Sequence, residues 1–485
     1  MLDLVPDPNP VKSMTAFHRH PVRVPRRAAL QVGALSLMGL SAIQVRALQA
    51  ASERTSQKEN NHRNSCVFIF LFGGPSHIDL WDMKPEAPRE IRGEFLPIET
   101  NVPGIRICEH LPLLARQMDK LCLLRSTTHK MPVHGPACSE IYSGRPYFGP
   151  PVTDQATPKD WPSLASLVAR FSNRPTHGLP ESVVLPWYTQ FVGQDRRIAG
   201  QTGGRMGEEF NPFLIAGNPN GERFEIQGLQ PQEPLSPDRV RRREHLLQRL
   251  ESFSSDRVTV TKQIETVKRQ YDAAFSMIED ARLFNALQLE EEREAVRDRY
   301  GRTRFGQSLL LSRRLVEAGV GLITVNWDDD HKDDKVSPHW DTHVDNFPKL
   351  KDRLCPPFDR GLSAFLSDLG DRGLLESTLV VVLGEFGRTP KVGAISQNGM
   401  TKPTGRDHWP HAFTTLLAGG GIPGGIVHGS TTRNGGYVKE NPVSPADLAA
   451  TILEHLGIDP HLEYEDRFMQ IRQQLCTGQA LTRLG

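Results

Sequence analysis

No two cysteines in this chain stand two residues apart. The six, Cys66, Cys108, Cys122, Cys138, Cys355 and Cys476, are scattered, so neither a cysteine zinc knuckle nor a dense disulfide framework is expected. An exported chain would form one or two bridges at most. A net charge of one sign is missing as well. The formal charge is +1, and Met1 to Ala50 holds six Lys/Arg against two Asp/Glu, leaving −3 for the remainder. Nucleic acid is therefore not an expected partner. The chain also lacks the Gly-x-Ser-x-Gly elbow, which argues against a metal-free hydrolase built on Ser76 and His77. Finally, no apolar run reaches the roughly 20 residues that a membrane-spanning helix needs. The longest candidate, Ala28 to Ile43, has 16.

That short run follows Arg26-Arg27 directly. Paired arginines before a mildly apolar stretch read as a twin-arginine signal peptide over residues 1–50, with cleavage near Ala47 to Ala51 and export of a folded protein to the periplasm or cell surface. An uncleaved anchor or a buried helix is the alternative. Residues 51–64 read as a linker. No stable transmembrane segment remains once the leader is removed.

The full sequence has an ordinary globular composition, 38% hydrophobic and 24% charged, with 37 prolines and 41 glycines that imply many ordered loops. Apolar runs rich in β-branched residues alternate with helical patterns. Ser65 to Phe72 reads as a first, central strand, followed by strands Gly321 to Asn326, Thr378 to Leu383 and Thr414 to Leu417. Helices are expected at Ser308 to Ala318, Phe358 to Leu369 and Pro445 to Leu456. This alternation predicts an α/β fold over 65–485, a mostly parallel sheet with helices on both faces. A loop-rich and helical insertion is expected at about 180–300. Within it, the Trp187 to Gln190 segment is a candidate pocket wall.

Chemistry-bearing residues gather where these strands end, which is where parallel sheets place ligands. After the first strand, GGPSHIDLWDMKP brings Asp79 and Asp82. In SPHWDTHVDNF, His339, Asp341, His343 and Asp345 occupy alternate positions, and the i, i+4 pairs would share a face if the segment were helical. Mixed imidazole and carboxylate donors suit zinc first, with manganese, iron or calcium as alternatives. GEFGRTP sets Glu385 and Arg388 just past a buried strand, and GRDHWPHAF adds Arg406, Asp407, His408 and His411. Arginine forks match tetrahedral oxyanions, and a metal would polarise the ester. The acidic run Asp328 to Asp334 reads as a solvated loop.

FLFGGPSHIDLWDMKP, WDTHVDNF, GEFGRTP, GRDHWPHAF and GGIVHGST together resemble the signatures of a bacterial family, domain of unknown function 1501. That family belongs to the alkaline phosphatase and sulfatase superfamily. The resemblance implies an alkaline-phosphatase-like core and a metal-dependent hydrolase of phosphate or sulfate esters, acting on a small molecule or a polysaccharide. It places His134, ten residues before Gly144, where relatives carry a Ser, Thr or formylglycine-forming Cys nucleophile. It implies metal ligation by Asp341, His343, Glu385 and His408, with Asp79 or Asp82 standing in for the strand-one Asp that Gly73-Gly74 replaces. Arg388 and Arg406 would hold the oxyanion. Cys138 lacks the surroundings of a formylglycine precursor. A protein that keeps this fold as a non-catalytic surface or polysaccharide-binding module is the second expectation.

Overall fold

In the computed structural model, residues 64–149, 155–173, 178–191, 196–221, 224, 281–328, 334, 337–397, 401–481 and 484 are described. The leader, residues 225–280 of the expected insertion and 329–333 of the acidic run lie outside the described residues. Eight strands form the central sheet. In chain order they are β1 (Ser65–Phe70), β2 (Leu121–Thr127), β3 (Ser182–Leu185), β4 (Phe213–Leu214), β5 (Leu322–Asn326), β6 (Thr378–Leu383), β7 (Phe413–Ala418) and β8 (Ile426–His428). Their spatial order is β8-β2-β7-β6-β1-β5-β3-β4. All run the same way except β7, which is antiparallel to both of its neighbours.

The sheet is mostly parallel because its strands are apolar on both faces. TLVVVL in β6 and SCVFIF in β1 are buried at every position, the pattern of strands covered on both sides. Alternate residues sort into two cores. Val67 and Ile69 of β1 face one core, together with helices α3 (Ala281–Leu287), α4 (Glu294–Tyr300), α5 (Arg304–Ala318) and α6 (Cys355–Asp371). Cys66, Phe68 and Phe70 face the other, with α1 (His134–Ser143), α2 (Leu164–Phe171) and α7 (Pro445–His455). Helices thus cover both faces, as the alternation predicts.

Helix ends follow local chemistry. Ser444 and Asp447 form a capping box with Pro445 at the first position of α7. α1 stops at Gly144, whose φ of +65° suits the left-handed turn that closes a helix. No described helix is long and apolar enough to cross a membrane. All six cysteines are free and buried.

Two expectations change. The region read as a loop-rich insertion contributes β3 and β4 to the main sheet; these runs of four and two residues are shorter than the windows in which periodicity becomes visible. The strand at Phe413–Ala418 is real but runs against its neighbours, a direction that side-chain alternation does not encode. The register brings one edge together. Phe70, the last residue of β1, stands level with Asn326 and Leu383, and Thr127 at the end of β2 stands level with Phe413. Chain leaving β1, β2, β5 and β6 therefore emerges beside chain entering β7.

Candidate metal centre

At that edge His134, Asp341, His343 and His408 converge, all buried, with one donor atom from each lying within 4.8 Å of the other three. The Nε2 of His134 is 3.3 Å from Asp341 Oδ2, and those of His343 and His408 are 3.1 and 3.4 Å from Asp341 Oδ1. His343 Nε2 and His408 Nε2 are 2.9 Å apart. A tetrahedral ion with bonds of about 2.0 Å needs donors about 3.3 Å apart, and the four separations above lie near that value, Asp341 supplying three of them through its two oxygens.

The far nitrogen of each imidazole is held from behind. His134 Nδ1 donates to Glu385 Oε1. His408 Nδ1 donates to the Pro132 carbonyl at 2.9 Å. His343 Nδ1 lies 2.9 Å from Thr401 Oγ1 and 3.5 Å from Asp407 Oδ1. A ring that donates through Nδ1 presents a bare lone pair at Nε2, the tautomer that binds metal. Two bare Nε2 atoms 2.9 Å apart repel unless one carries a proton or a cation lies between them. The donor set therefore fits a divalent ion.

With no ion present, a proton on His134 fills the place of the cation, and an ion would have to displace it. Burial alone would lower the His134 pKa, but the Asp341 and Glu385 carboxylates outweigh it and raise it to about 9. His408 goes the other way, down to about 3, through burial and the positive charge of His134. Burial pushes Asp341 up, yet Arg388 and His134 prevail and hold it well below the usual carboxylate range. Asp407, also opposed by burial, is lowered by main-chain N–H groups of Ser396, His408 and Gln397.

The remaining expected ligands lie elsewhere. Glu385 stands behind His134, accepting also from Gly73 N–H at 3.0 and 3.1 Å. Asp79 is not at the cluster. Its carboxylate takes a two-pronged bond from Arg406, 2.8 Å on each oxygen, plus Ser76 Oγ at 2.6 Å and Asn346 Nδ2 at 2.9 Å. Asp82 is bonded to Lys84 at 2.9 Å and to Thr431. Neither replaces the strand-one Asp. Nor could an Asp stand at Gly73 itself, where φ is +114° and a Cβ would come within 2.3 Å of Asp341 N.

Both arginines expected to grip an oxyanion are fully buried and engaged. Arg388 donates to Asp341 Oδ1 at 2.5 Å and to the carbonyls of Gly73, Gly74 and Arg406. Arg406 is bound to Asp79 and to the carbonyls of Thr389, Pro390 and Ile91. These bonds take the guanidinium donors that an oxyanion would need. Ser76 and His77 also turn apart, to Asp79 Oδ2 and to the Gly435 carbonyl.

The His339–Asp345 segment is a loop rather than a helix, with φ of +55° at His339 and +52° at Asp345. Asp341 and His343 reach the cluster from this turn-rich loop. Asp345 instead contacts Thr404. Sequence reading missed Thr401, Gln397, Pro132 and the aromatic side chains beside His134. Nothing in their spacing marks them.

A sequence profile described as "Protein of unknown function (DUF1501)" matches residues 63–483, and the chain belongs to this family. No curated protein matches. Among solved structures, PsFucS1 sulfatase from Pseudoalteromonas sp. aligns at 11% identity and TM-score 0.38, covering 89% of this chain and 76% of that one. Alkaline phosphatase from the Antarctic bacterium TAB5 aligns at 9% and 0.36, covering 81% and 98%. Lipoteichoic acid synthase LtaP from Listeria monocytogenes aligns at 11% and 0.35, covering 86% and 75%. These scores are too low to carry a residue or an activity across.

Proposed function

We propose that this member of the family is an exported, metal-dependent hydrolase of a phosphate or sulfate ester, with His134, Asp341, His343 and His408 holding one divalent ion. The observation that carries it is the set of three imidazole Nε2 atoms and one carboxylate turned toward a common centre, each imidazole fixed from behind. Three nitrogen donors favour zinc, then iron or manganese, over calcium, which prefers oxygen. Such an ion would act as a Lewis acid on the ester.

The chain's own residues then have defined tasks. His134 serves as a donor, with Glu385 accepting its Nδ1 proton and fixing the ring. Asp341, kept ionised by Arg388, supplies the negative charge that offsets a cation. The first turn of α1 begins at His134, so the positive end of its helix dipole faces the site and favours an anionic ester there. That turn takes over the oxyanion role expected of Arg388 and Arg406.

A second reading has its own support. Four protein donors complete a tetrahedral shell, and closed shells are the mark of structural zinc. On that reading the protein keeps the fold as a surface or polysaccharide-binding module. Turnover separates the two. Zinc-loaded protein assayed on aryl phosphates, phosphodiesters and aryl sulfates should hydrolyse at least one, and should lose that activity in Asp341→Ala and His408→Ala. Zinc bound with all three substrates inert would leave the structural reading, and no metal with no turnover would remove both. Export rests on the Arg26-Arg27 leader and is tested by fractionating cells that carry Arg26→Lys/Arg27→Lys; retention in the cytoplasm is expected, and unchanged export would overturn it.

A further inference from the structure

A cavity of about 300 Å³ opens beside the cluster. Phe72, Trp187, Tyr188, Phe191, Trp327 and His339 give it ring-bearing walls. It touches the metal centre through Phe72 and Phe191, whose rings lie 5.3 and 6.1 Å from that of His134. His339 sits two residues before Asp341, with its ring 5.9 Å from Phe72. Because β3 ends level with β5, the Trp187–Phe191 segment leaves the sheet at the same edge as the ligands.

The lining is short of charge. Among the described residues that form it there is one carboxylate, Asp328, and no lysine or arginine. Asp328 is bound by Trp187 Nε1 at 3.0 Å and by Arg304. A neighbouring cavity shares Trp327 and Asp328 and does carry arginines. Its Arg302 is paired with Glu294 and Asp298, and its Arg360 with main-chain carbonyls. A highly charged ligand would therefore find few donors not already engaged.

The rings are held in place. Trp327 packs 4.5 Å from Phe305 and 5.1 Å from Trp340, and Arg197 lies 4.5 Å over Tyr188. Trp187, by contrast, stands at the rim and is 38% exposed. Rigid aromatic faces bury flat apolar surface at low entropic cost, and an exposed one beside a pocket is a platform. A cavity of about 150 Å³ holds a single benzene, so this one has room for one or two rings.

We propose that this cavity receives the alcohol half of the ester as an uncharged ring, a sugar or an arene, seated face-on against the aromatic walls next to His134. The assignment as the leaving-group half rests on the hydrolase reading; the binding of a ring does not.

Ligand-observed NMR on the full chain tests it, with phenol, methyl β-D-glucopyranoside and inositol hexakisphosphate as probes. Saturation transfer to phenol or to the glucoside is expected, and which of them binds tells arene from sugar. Trp187→Ala and Phe191→Ala should each weaken that binding about three- to tenfold, the effect of losing one aromatic contact. Two rings that fail to bind, binding unchanged in both variants, or a preference for the hexakisphosphate would each overturn the proposal. An inert protein that binds a ring loses only the hydrolase reading. A protein that cleaves phenyl phosphate with a KM unmoved by both variants keeps that reading and loses this one.

Discussion

Two buried polar constellations lie at the same edge of the sheet, and they differ in whether they complete themselves. Asp79 and Arg406 are fully buried, and protein partners meet both carboxylate oxygens and every arm of the guanidinium. The His134, Asp341, His343 and His408 cluster instead points three imidazole nitrogens at one another, with two of them 2.9 Å apart. A buried pair with every bond made maintains a fold. A buried group of donor atoms facing inward could hold a cation, a place that a proton on His134 otherwise fills. The difference separates residues of similar type in similar loops, which proximity to a strand end alone does not.

The comparison breaks most visibly at the pair. Arg406→Ala leaves Asp79 buried without its cationic partner, with only Ser76 and Asn346 against it, and should cost about 3–5 kcal/mol of stability by urea unfolding, with zinc or without it. A loss below 1 kcal/mol would mean that the pair is not structural. Next in size is a pH effect just behind the cluster. His129 Nε2 donates to the Glu385 carbonyl at 2.5 Å and its Nδ1 accepts from Met131 N–H at 3.0 Å, so the ring is built to be neutral. Burial lowers its pKa from 6.5 to about 4. Between those values the unfolded chain holds the proton and the native one does not. Stability is thus fully present above pH 6.5 and falls as the pH drops to 4, by on the order of 3 kcal/mol from this group. His129→Gln should flatten that slope relative to wild type; an identical slope would contradict the assignment.

Smaller effects belong to the cluster itself. Zinc at a hundredfold excess over its Kd should raise stability by about 2.7 kcal/mol, and His343→Ala should abolish that gain while keeping most of the metal-free stability. A gain that persists in the variant would place the ion elsewhere. Glu385→Gln should weaken zinc binding about 10- to 100-fold by calorimetry without changing stoichiometry, since it holds His134 rather than the ion. A complete loss of binding would make Glu385 a ligand.

Much of this edge was legible in the sequence. Runs such as TLVVVL announce buried strands, and strand ends in a parallel sheet announce where Asp341, His343, His408 and Glu385 gather. What composition and spacing do not carry is partner choice. Asp79 and Asp341 are both aspartates in loops that follow central strands; only the fold puts Arg406 against one and imidazoles around the other. Arg388 and Arg406 look like anion grips for the same reason, since their carbonyl partners Gly73, Gly74 and Ile91 lie hundreds of residues away in the chain. The missing strand-one Asp has a steric cause at Gly73 that no motif displays. β3 and β4 escape because they are short and their neighbours are distant in sequence.

X-ray absorption at the zinc edge, on full-length protein carrying one equivalent of zinc, tests the central claim most directly. The predicted result is one bound ion per chain with three imidazole nitrogens and one carboxylate oxygen at about 2.0–2.2 Å, and loss of that signal in His408→Ala. Sulfur scattering, an all-oxygen shell, or an unchanged spectrum in the variant would contradict it.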